Sequence, residues 1–595
     1  MPCMNKYELA KKISGLDGLT NEEKSELLKL LRSQKKYGLV WEDKPEETET
    51  RLQDELPVLE EVPSRAIVSD SPDAPNHILI EGDNLEALTA LSYTHAGKID
   101  VIYIDPPYNT GNKDFVYNDS FVDREDGYRH SKWLSFMNKR LKIAKGLLSD
   151  KGVIFISIDD NEQAQLKLLC DEIFGNKNCL ATVVQKSRDS ISGDLLFSPN
   201  HNYLLVYARK QELIFAERDN FRIPVEINEK LFKNPDNDPR GPWKLNPVDG
   251  PGGARKGNPY YTFLGITGYY RYSEEVMRKY YEEGLIIKRR TSLGKKYFLS
   301  QAKAKKGIPP TTWWEDAGKT ANGTKLLQQI VPETTFNNPK PIELIIRCLQ
   351  LLNKDFQILD FFAGSGTTLH ATMQLNAEDG GHRQCILVTN NENGICENVT
   401  YERNRRVIQG YTTPKGEAVP GLIHNNLRYY KTKLVSRDKT AKNLRLLTAL
   451  STDMLCIRND AYMEKPFAGK QINKHVARYF ESADGSRRML VIYREEAIGA
   501  LVQLIGTLPK HDDKLMIYVF SPNGYAYDDE FEDVADSVKL CAIPDAILNA
   551  YRRVLPKRKP QYLKEALDEM EREAAKAESR QTELDFKDTE EGGEA

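Results

Sequence analysis

Short apolar runs alternate with amphipathic stretches in the first third of the chain. The pattern predicts strands over 78–80, 101–104 and 152–158, with helices over 85–91 and 133–148 between them. Strands this uniformly apolar are typical of parallel sheets that are covered on both faces. The alternation of strand and helix therefore predicts an α/β fold with a doubly wound, mostly parallel sheet.

The same pattern returns in the second half of the chain. It predicts a helix over 341–351, a strand over 357–362, a helix over 367–375 and a strand over 385–389. Residues 186–325 interrupt the pattern, because they are rich in Gly, Pro and Tyr and contain few long apolar runs. We expect one sheet built from two separated parts of the sequence, with an insertion between them.

A chain of 595 residues is too long for one core and is expected to divide into several domains. The pattern predicts six segments: 1–75, a helical and acidic N-terminal arm; 76–185, the first half of the sheet; 186–325, the insertion; 326–425, the second half of the sheet; 426–563, a C-terminal α/β domain with strands over 489–493 and 514–520; and 564–595, a charged helix and acidic tail.

Composition restricts the cellular context. Eight cysteines are scattered without a Cys-x-x-Cys pair, which favours reduced thiols in a cytoplasmic protein over disulfides or a metal site. The chain begins without a signal-peptide pattern and contains no uncharged apolar run of roughly 18 residues, so we expect no export and no membrane span. The net charge of −3 is nearly neutral, so only local charge can indicate binding to nucleic acid.

The first candidate site follows the apolar strand over 101–104. Asp105, Pro106, Pro107 and Tyr108 come directly after it, at the end of the strand where open α/β sheets bind ligands. The Asp105 carboxylate and the Pro106 carbonyl could accept the hydrogens of an exocyclic amine and stabilise the charge that grows on it during alkylation. Tyr108 offers a face for a planar base, worth ~1–3 kcal/mol. The alternative is an ordinary strand that ends in a Pro-Pro turn.

The second candidate site is a glycine-rich loop that runs from a strand into a helix. Its candidate ligand-binding residues are Asp360, Phe362, Gly364, Gly366 and Thr367. The glycines allow close backbone approach, and the helix N-terminus favours a carboxylate such as that of S-adenosylmethionine. No Gly-Lys-Ser/Thr follows and the sixth position of a dinucleotide fingerprint is Leu369, so a phosphate loop is excluded.

Two acidic residues near strand ends could complete the cofactor site. Glu392 stands about 25 residues after the glycine loop, near the spacing of a ribose-binding acid. Asp83 follows the strand over 78–80 and could meet the adenine end of the cofactor. For either residue alone, the alternative is a solvated acid in a loop.

The insertion carries a local excess of positive charge. Between Arg240 and Pro310 there are fifteen Lys and Arg against five Asp and Glu, a balance of +10, with eleven aromatic residues among them. This composition suits phosphate contacts and base stacking; the alternative is a solvated face over a small core. The candidate DNA contacts are Arg255, Lys256, Lys288, Arg289, Arg290, Lys295 and Lys296.

With these residues in place, the chain resembles the modification subunits of type III restriction–modification systems, and more broadly the beta-class N6-adenine DNA methyltransferases. That class places its catalytic motif before the target-recognition region and its cofactor motif after it, as here. The matching segments are 36–42, 81–85, 103–112, 133–134, 157–162, 336–341 and 360–368. The resemblance assigns 76–185 to the catalytic half, 186–325 to target recognition and 326–425 to the cofactor half.

The resemblance also implies a function and site residues. Asp105 and Tyr108 would carry the catalytic roles, the glycine loop would bind S-adenosylmethionine, and Lys340 would lie in the cofactor wall. The expected activity is methylation of adenine N6 in double-stranded DNA after base flipping. N4-cytosine methylation and an idle DNA-specificity subunit remain alternatives. A separate restriction subunit and a homodimer are further expectations.

Overall fold

The computed structural model describes most of the chain. It covers residues 20, 24 and 39–556, without 112–113, 119, 194–195, 225–226, 305–306, 510 and 512. The predicted N-terminal helix and the predicted charged tail lie outside the described residues.

Ten strands of the described chain form the main sheet, numbered here in chain order. They are β1 (Glu55–Glu61), β2 (Asn76–Glu81), β3 (Ile99–Ile104), β4 (Leu148–Ile158), β5 (Cys179–Lys186), β6 (His201–Ala208), β7 (Trp313–Trp314), β8 (Gln357–Asp360), β9 (Gln384–Thr389) and β10 (Asn426–Ser436). Their order across the sheet is β1-β10-β2-β9-β8-β3-β4-β6-β5-β7.

The centre of this sheet is parallel. The six strands from β10 to β4 all pair in parallel. Strand β8 pairs with β3, with Leu359 opposite Ile102, so the two halves of the sequence meet side by side. This confirms the prediction of one doubly wound sheet built from two separated parts of the chain.

The described α-helices are also numbered in chain order. They are α1 (Glu47–Arg51), α2 (Asn84–Thr94), α3 (Arg129–Leu147), α4 (Gln163–Cys170), α5 (Gln211–Ala216), α6 (Glu274–Glu282), α7 (Leu299–Ala304), α8 (Thr320–Ile330), α9 (Ile342–Leu349), α10 (Thr367–Asp379), α11 (Glu402–Gln409), α12 (Ala441–Leu450), α13 (Thr452–Asn459), α14 (Ile498–Gly506) and α15 (Asp545–Tyr551).

Both faces of the main sheet are buried. Along β3, Ile102 and Ile104 join one apolar core, whereas Val101 and Tyr103 join the core on the opposite face. Successive side chains of a strand point to opposite faces. A strand between two cores therefore needs apolar residues at every position, which is the pattern that the sequence shows.

Four strands of the main sheet lie outside the two segments that we predicted to form it. Strand β1, which we placed in the N-terminal arm, pairs with β10, and β10 belongs to the main sheet rather than to the C-terminal domain. Strands β6 and β7, which we placed in the insertion, also belong to this sheet. These strands join the sheet by pairing with residues distant in the sequence, and the local apolar pattern does not reveal that pairing. The insertion outside the sheet therefore runs from 209 to 312.

The insertion has a small core of its own. Trp243–Pro247, Leu293–Phe298 and Ile286–Lys288 form an antiparallel sheet, and Tyr260–Phe263 pairs with Ile266–Tyr269 as a hairpin. Each Tyr-Tyr pair of the insertion divides between core and surface. The inward residues are Tyr261, Tyr270 and Tyr280, and the outward residues are Tyr260, Tyr269 and Tyr281.

The C-terminal domain has a separate sheet. Its strands, in sheet order, are Met463–Glu464, Ala477–Glu481, Arg488–Ile492, Leu515–Phe520 and Val538–Ile543. The last three are parallel, which confirms the two strands predicted there. Two-residue ladders pair Val116–Tyr117 with Ser120–Phe121 and Tyr411–Thr412 with Ala418–Val419.

Candidate active site

The loop after β3 is held in one position by buried contacts. Tyr108 Oη donates a hydrogen bond to Asp105 Oδ1 at 2.9 Å. The indole Nε1 of Trp133, a fully buried residue of α3, donates to the Pro107 carbonyl at 2.8 Å. Burial, together with the neighbouring Asp105, raises the pKa of Tyr108 well above its usual value. Tyr108 is therefore a neutral phenol that donates to the carboxylate.

Lys340 connects this loop to the glycine loop. Its Nζ lies 2.7 Å from Asp105 Oδ2 and donates to Tyr108 Oη at 2.8 Å. Its carbonyl accepts a hydrogen bond from Thr367 Oγ1 at 3.4 Å. The resemblance placed Lys340 in the cofactor wall; in the structure its ammonium also contacts the predicted catalytic carboxylate. The segment before α9 thus joins the two motifs.

The glycine loop adopts a left-handed backbone that favours glycine. Gly364 and Gly366 have φ values of +49° and +71°. A Cβ atom at Gly366 would lie 2.4 Å from Asn404 Nδ2, and a Cβ atom at Gly364 would lie 3.1 Å from the ring of Phe336. Gly366 is the N-cap of α10. The loop therefore exposes backbone directly at a helix N-terminus.

Asp360 holds the shape of this loop. The buried carboxylate accepts hydrogen bonds from Thr368 Oγ1 at 2.6 Å and from the Phe362 amide at 3.0 Å. Burial raises its pKa to about 7. These contacts fix the entry into α10, so Asp360 supports the candidate cofactor site from beneath the loop.

A buried arginine that the sequence analysis missed lies under the same loop. Arg403 of α11 donates to Thr367 Oγ1 at 2.7 Å and to Ser365 Oγ at 3.2 Å. Burial lowers its pKa to about 9, and no carboxylate of the described chain forms an ion pair with it. A positive charge without a partner beneath a helix N-terminus favours an anionic group at the loop.

The two motifs face one cavity of about 650 Å³. Its described lining combines both predicted motifs with the segment before α9. The lining residues are Tyr103, Asp105, Pro106, Pro107, Tyr108, Thr110, Asp114, Phe336, Asn337, Asn338, Pro339, Lys340, Asp360, Phe362, Ala363, Gly364, Ser365, Thr367 and Thr368. Residues 336–339 were not predicted as site residues, although they belong to a segment that carries the family resemblance.

Three predicted cofactor residues, Asp83, Gly366 and Glu392, lie outside this lining, although Gly366 stands between the lining residues Ser365 and Thr367. The Asp83 side chain accepts hydrogen bonds from the amides of Leu85 and Glu86 and so caps α2. Glu392 is exposed in the turn after β9. Their proposed roles in binding the cofactor stay predictions.

A buried polar cluster anchors the catalytic loop from behind. Asn109, which has a φ of +57°, donates from Nδ2 to Glu162 Oε1 at 2.6 Å. His130 Nδ1 lies 2.6 Å from the same oxygen. Burial raises the pKa of Glu162 to about 8. The local sequence pattern could not reveal this cluster, because its members come from three separate segments of the chain.

Glu162 should make stability depend on pH. Because its folded pKa of about 8 exceeds the ordinary value of 4.5, the folded state keeps a proton that the unfolded chain releases. The free energy of unfolding should therefore fall between pH 4.5 and 8, by at most about 1.4 kcal/mol per pH unit from this group. Urea unfolding should show a flatter pH dependence in Glu162→Gln, whereas the exposed control Glu125→Gln should match the unaltered chain. An unchanged slope in Glu162→Gln would contradict this account.

The seven residues predicted to contact DNA fall into two groups: five are exposed, and two have ammonium groups that contact other side chains. Arg255, Lys256, Lys288, Arg289 and Arg290 are exposed. Lys295 packs its ammonium 3.2 Å from the centre of the Tyr280 ring. The predicted DNA contact Lys296 is corrected: its buried ammonium pairs with Asp236 at 2.5 Å and Asp238 at 2.6 Å, so it stabilises the insertion.

The described residues contain neither a membrane-spanning helix nor a metal-binding cluster. No helix there is long and apolar enough to cross a membrane. No group of three or more His, Cys, Asp or Glu side chains there could hold a metal ion.

Comparison with known proteins gives consistent matches. A family model described as DNA methylase matches residues 99–409, just over half of the chain. The chain is 36% identical to the type III restriction-modification enzyme StyLTI Mod subunit of Salmonella typhimurium, over 53% of this chain and 52% of that protein. It is 32% identical to the EcoPI Mod subunit of Escherichia phage P1, over 53% and 58%. It is 33% identical to type II methyltransferase M.KpnI of Klebsiella pneumoniae, over 57% and 87%. The chain thus spans about half the length of these two Mod subunits.

Proposed function

Because the chain belongs to the DNA methylase family, we propose that it transfers a methyl group from S-adenosylmethionine to N6 of adenine in double-stranded DNA. One observation carries the proposal: the 105–108 loop and the glycine loop line a single cavity. Two motifs that stand far apart in the sequence thereby form one site, with an amine acceptor on one wall and a cofactor loop on the other.

The cofactor wall fits S-adenosylmethionine. Gly364 and Gly366 leave space beside the backbone that a Cβ atom would fill. The N-terminus of α10 and the unpaired charge of Arg403 suit the carboxylate of its methionine part. The bound cofactor supplies an electrophilic methyl group.

The opposite wall suits the attacking amine. The Asp105 carboxylate and the Pro106 carbonyl would accept the two amine hydrogens, which frees the nitrogen lone pair and stabilises its growing positive charge. The Asp105 carboxylate can then take the proton that the nitrogen loses. Tyr108 and Lys340 hold this carboxylate in place from two sides. Their hydrogen bonds reduce the reorganisation needed during the reaction.

The target base would leave the duplex to reach this wall. A stacked and paired amine inside a duplex is not accessible to residues at the edge of a sheet. The cavity of about 650 Å³ is large enough for a cofactor and part of a base.

We propose adenine rather than cytosine as the target base because of the family resemblance. An Asp, rather than a Ser, precedes Pro-Pro-Tyr, although the N4 amine of cytosine would meet the same acceptors. The assembled site supports an active enzyme over an idle specificity subunit. Single-molecule sequencing of DNA from cells that express the chain should find modified adenine within one recognition sequence. Modified cytosine, or unmodified DNA, would overturn this part of the proposal.

The exposed arginines of the insertion provide a test of DNA binding. Arg289→Ala with Arg290→Ala should weaken duplex binding and lower the slope of log affinity against log salt by up to about 1.8, because each phosphate contact contributes about 0.9. The matched control Lys296→Ala should leave this slope unchanged but lower the melting temperature, since Asp236 and Asp238 lose the buried ammonium that they share. Equal slopes in the double variant and the unaltered chain would contradict the assignment.

We also propose that the chain works with a separate restriction subunit and forms a homodimer. The support is that two relatives are named Mod subunits of type III restriction-modification enzymes. Light scattering of the purified chain should give twice the mass of one chain; the mass of a single chain would contradict the dimer.

A further inference from the structure

A second cavity, of about 590 Å³, lies between the main sheet and the C-terminal domain. On one side it meets the first residues of β2, β8 and β9, which are Asn76, Gln357 and Gln384. The candidate active site lies past the opposite ends of the main-sheet strands, after β3 and β8. On the other side the cavity meets Arg488 and Lys514, at the start of two C-terminal strands. The cavity therefore lies at the interface of two domains and is separate from the methylation site.

Positive charge dominates the described lining. It contains six cationic side chains against two carboxylates, those of Asp460 and Asp513. The cations are Lys98, Arg458, Arg487, Arg488, Lys514 and Lys539. Asp460 already pairs with Arg487 at 2.7 Å and accepts from Asn76 Nδ2 at 2.9 Å.

The other five cations have no ion-pair partner among the described carboxylates. Four of them donate to backbone carbonyls instead. Lys98 donates to Arg458 O at 3.4 Å, Arg488 to Asp513 O at 2.9 Å and Lys514 to Ala535 O at 3.1 Å. Arg458 donates to the carbonyl of Tyr93. Because these cations outnumber the two carboxylates of the lining, they repel one another, and a bound anion would relieve this repulsion.

The rest of the lining is suited to a ligand with an uncharged part. Two buried polar atoms, Gln357 Oε1 and Arg488 Nε, have no hydrogen-bond partner, and buried polar groups without partners are uncommon in folded proteins. The lining also offers amide side chains and apolar surface. These residues are Asn76, Gln357, Gln384 and Asn459, and Ile78, Ile386, Ile457 and Met516.

We propose that this interdomain cavity binds a small ligand that carries two or more phosphate groups, such as a nucleoside diphosphate or triphosphate. Phosphate oxygens match the unpaired cations, and the apolar and amide surface suits a base. The concave shape and the volume of about 590 Å³ fit a small molecule and exclude a duplex. Because no Gly-x-x-x-x-Gly-Lys-Ser/Thr loop exists in the chain, the inferred role is binding without hydrolysis.

Calorimetry on the full chain tests this inference with pyrophosphate and ATP as probes. Both should bind, and Lys98→Glu and Lys539→Glu should each weaken binding by about tenfold or more. Both lysines are exposed at the rim, so the variants should keep the melting temperature of the unaltered chain. The control Lys439→Glu reverses the charge of an exposed lysine outside the lining and should bind both probes normally. S-adenosylmethionine affinity should be equal in all four proteins, which separates this site from the proposed methylation site.

Three results would overturn the inference. The first is the absence of binding by either probe. The second is equal affinity for the probes in Lys98→Glu, Lys539→Glu and the unaltered chain. The third is a loss of duplex DNA binding in these variants without any loss of pyrophosphate binding, which would assign the cations to a nucleic-acid surface.

Discussion

Replacing Asp105 with alanine should lower the rate of methyl transfer by about 10²–10³-fold or more, the usual cost of removing an acceptor aimed at developing charge. The carboxylate follows β3 and is fixed by Tyr108 and Lys340 at 2.9 and 2.7 Å. Without it, the amine would lose an acceptor for its hydrogen and the negative charge that stabilises the forming cation. Asp105→Asn should be similarly impaired, because an amide keeps the shape but not the charge.

The loss should lie in catalysis and not in binding of the cofactor. Isothermal titration should give S-adenosylmethionine affinities within a few-fold of the unaltered chain, since the glycine loop is on the other wall. Asp355→Ala is the matched control, because this exposed acid precedes β8 at the opposite end of the sheet. Substantial activity in Asp105→Ala, or equal loss in Asp355→Ala, would remove Asp105 from the catalytic role.

Replacing Gly366 with alanine should weaken S-adenosylmethionine binding by about 100-fold or more. The residue caps α10 with a φ of +71°, and its new Cβ would lie 2.4 Å from Asn404 Nδ2. Asn404 cannot move away freely, because it is buried and donates to the carbonyls of Gly366 and Thr400. The loop must then shift, and a displacement of about 1 Å can cost about two orders of magnitude at a site.

Gly380 provides a matched control at the other end of the same helix. Its φ is +69°, and an added Cβ meets no atom within 4 Å. Gly380→Ala should therefore lose only about 1 kcal/mol of stability from backbone strain, with normal cofactor affinity. Calorimetric titration and melting curves of the two variants separate the clash from the strain. Equal cofactor affinity in Gly366→Ala and Gly380→Ala would show that the clash does not matter.

Features that depend on neighbouring residues were predictable from the sequence. The apolar run over 101–104 and the loop that follows it lie where the local pattern places them, and the two glycines have the positive φ values that a tight turn needs. The parallel sheet also follows from local pattern, because strands buried on both faces are apolar at every position.

Features that depend on pairs of distant residues were not predictable. Lys340 meets Asp105 only because the chain returns to the sheet after the insertion. Arg403 looks like a surface residue in a helix rich in arginine, yet it is buried under the glycine loop. Lys296 reads as part of a basic run, but Asp236 and Asp238 draw it inward. In each case the deciding interaction is with a residue about 35 or more positions away, which no local pattern encodes.

The identity of the methylated base shows most clearly whether the chain methylates N6 of adenine. The full chain would be incubated with duplex DNA and S-adenosylmethionine, and the DNA would then be digested to nucleosides. The nucleosides would be identified by liquid chromatography coupled to mass spectrometry. We expect N6-methyldeoxyadenosine with the unaltered chain and none with Asp105→Ala. N4-methyldeoxycytidine, or no methylated nucleoside from a chain that binds both DNA and cofactor, would contradict this expectation.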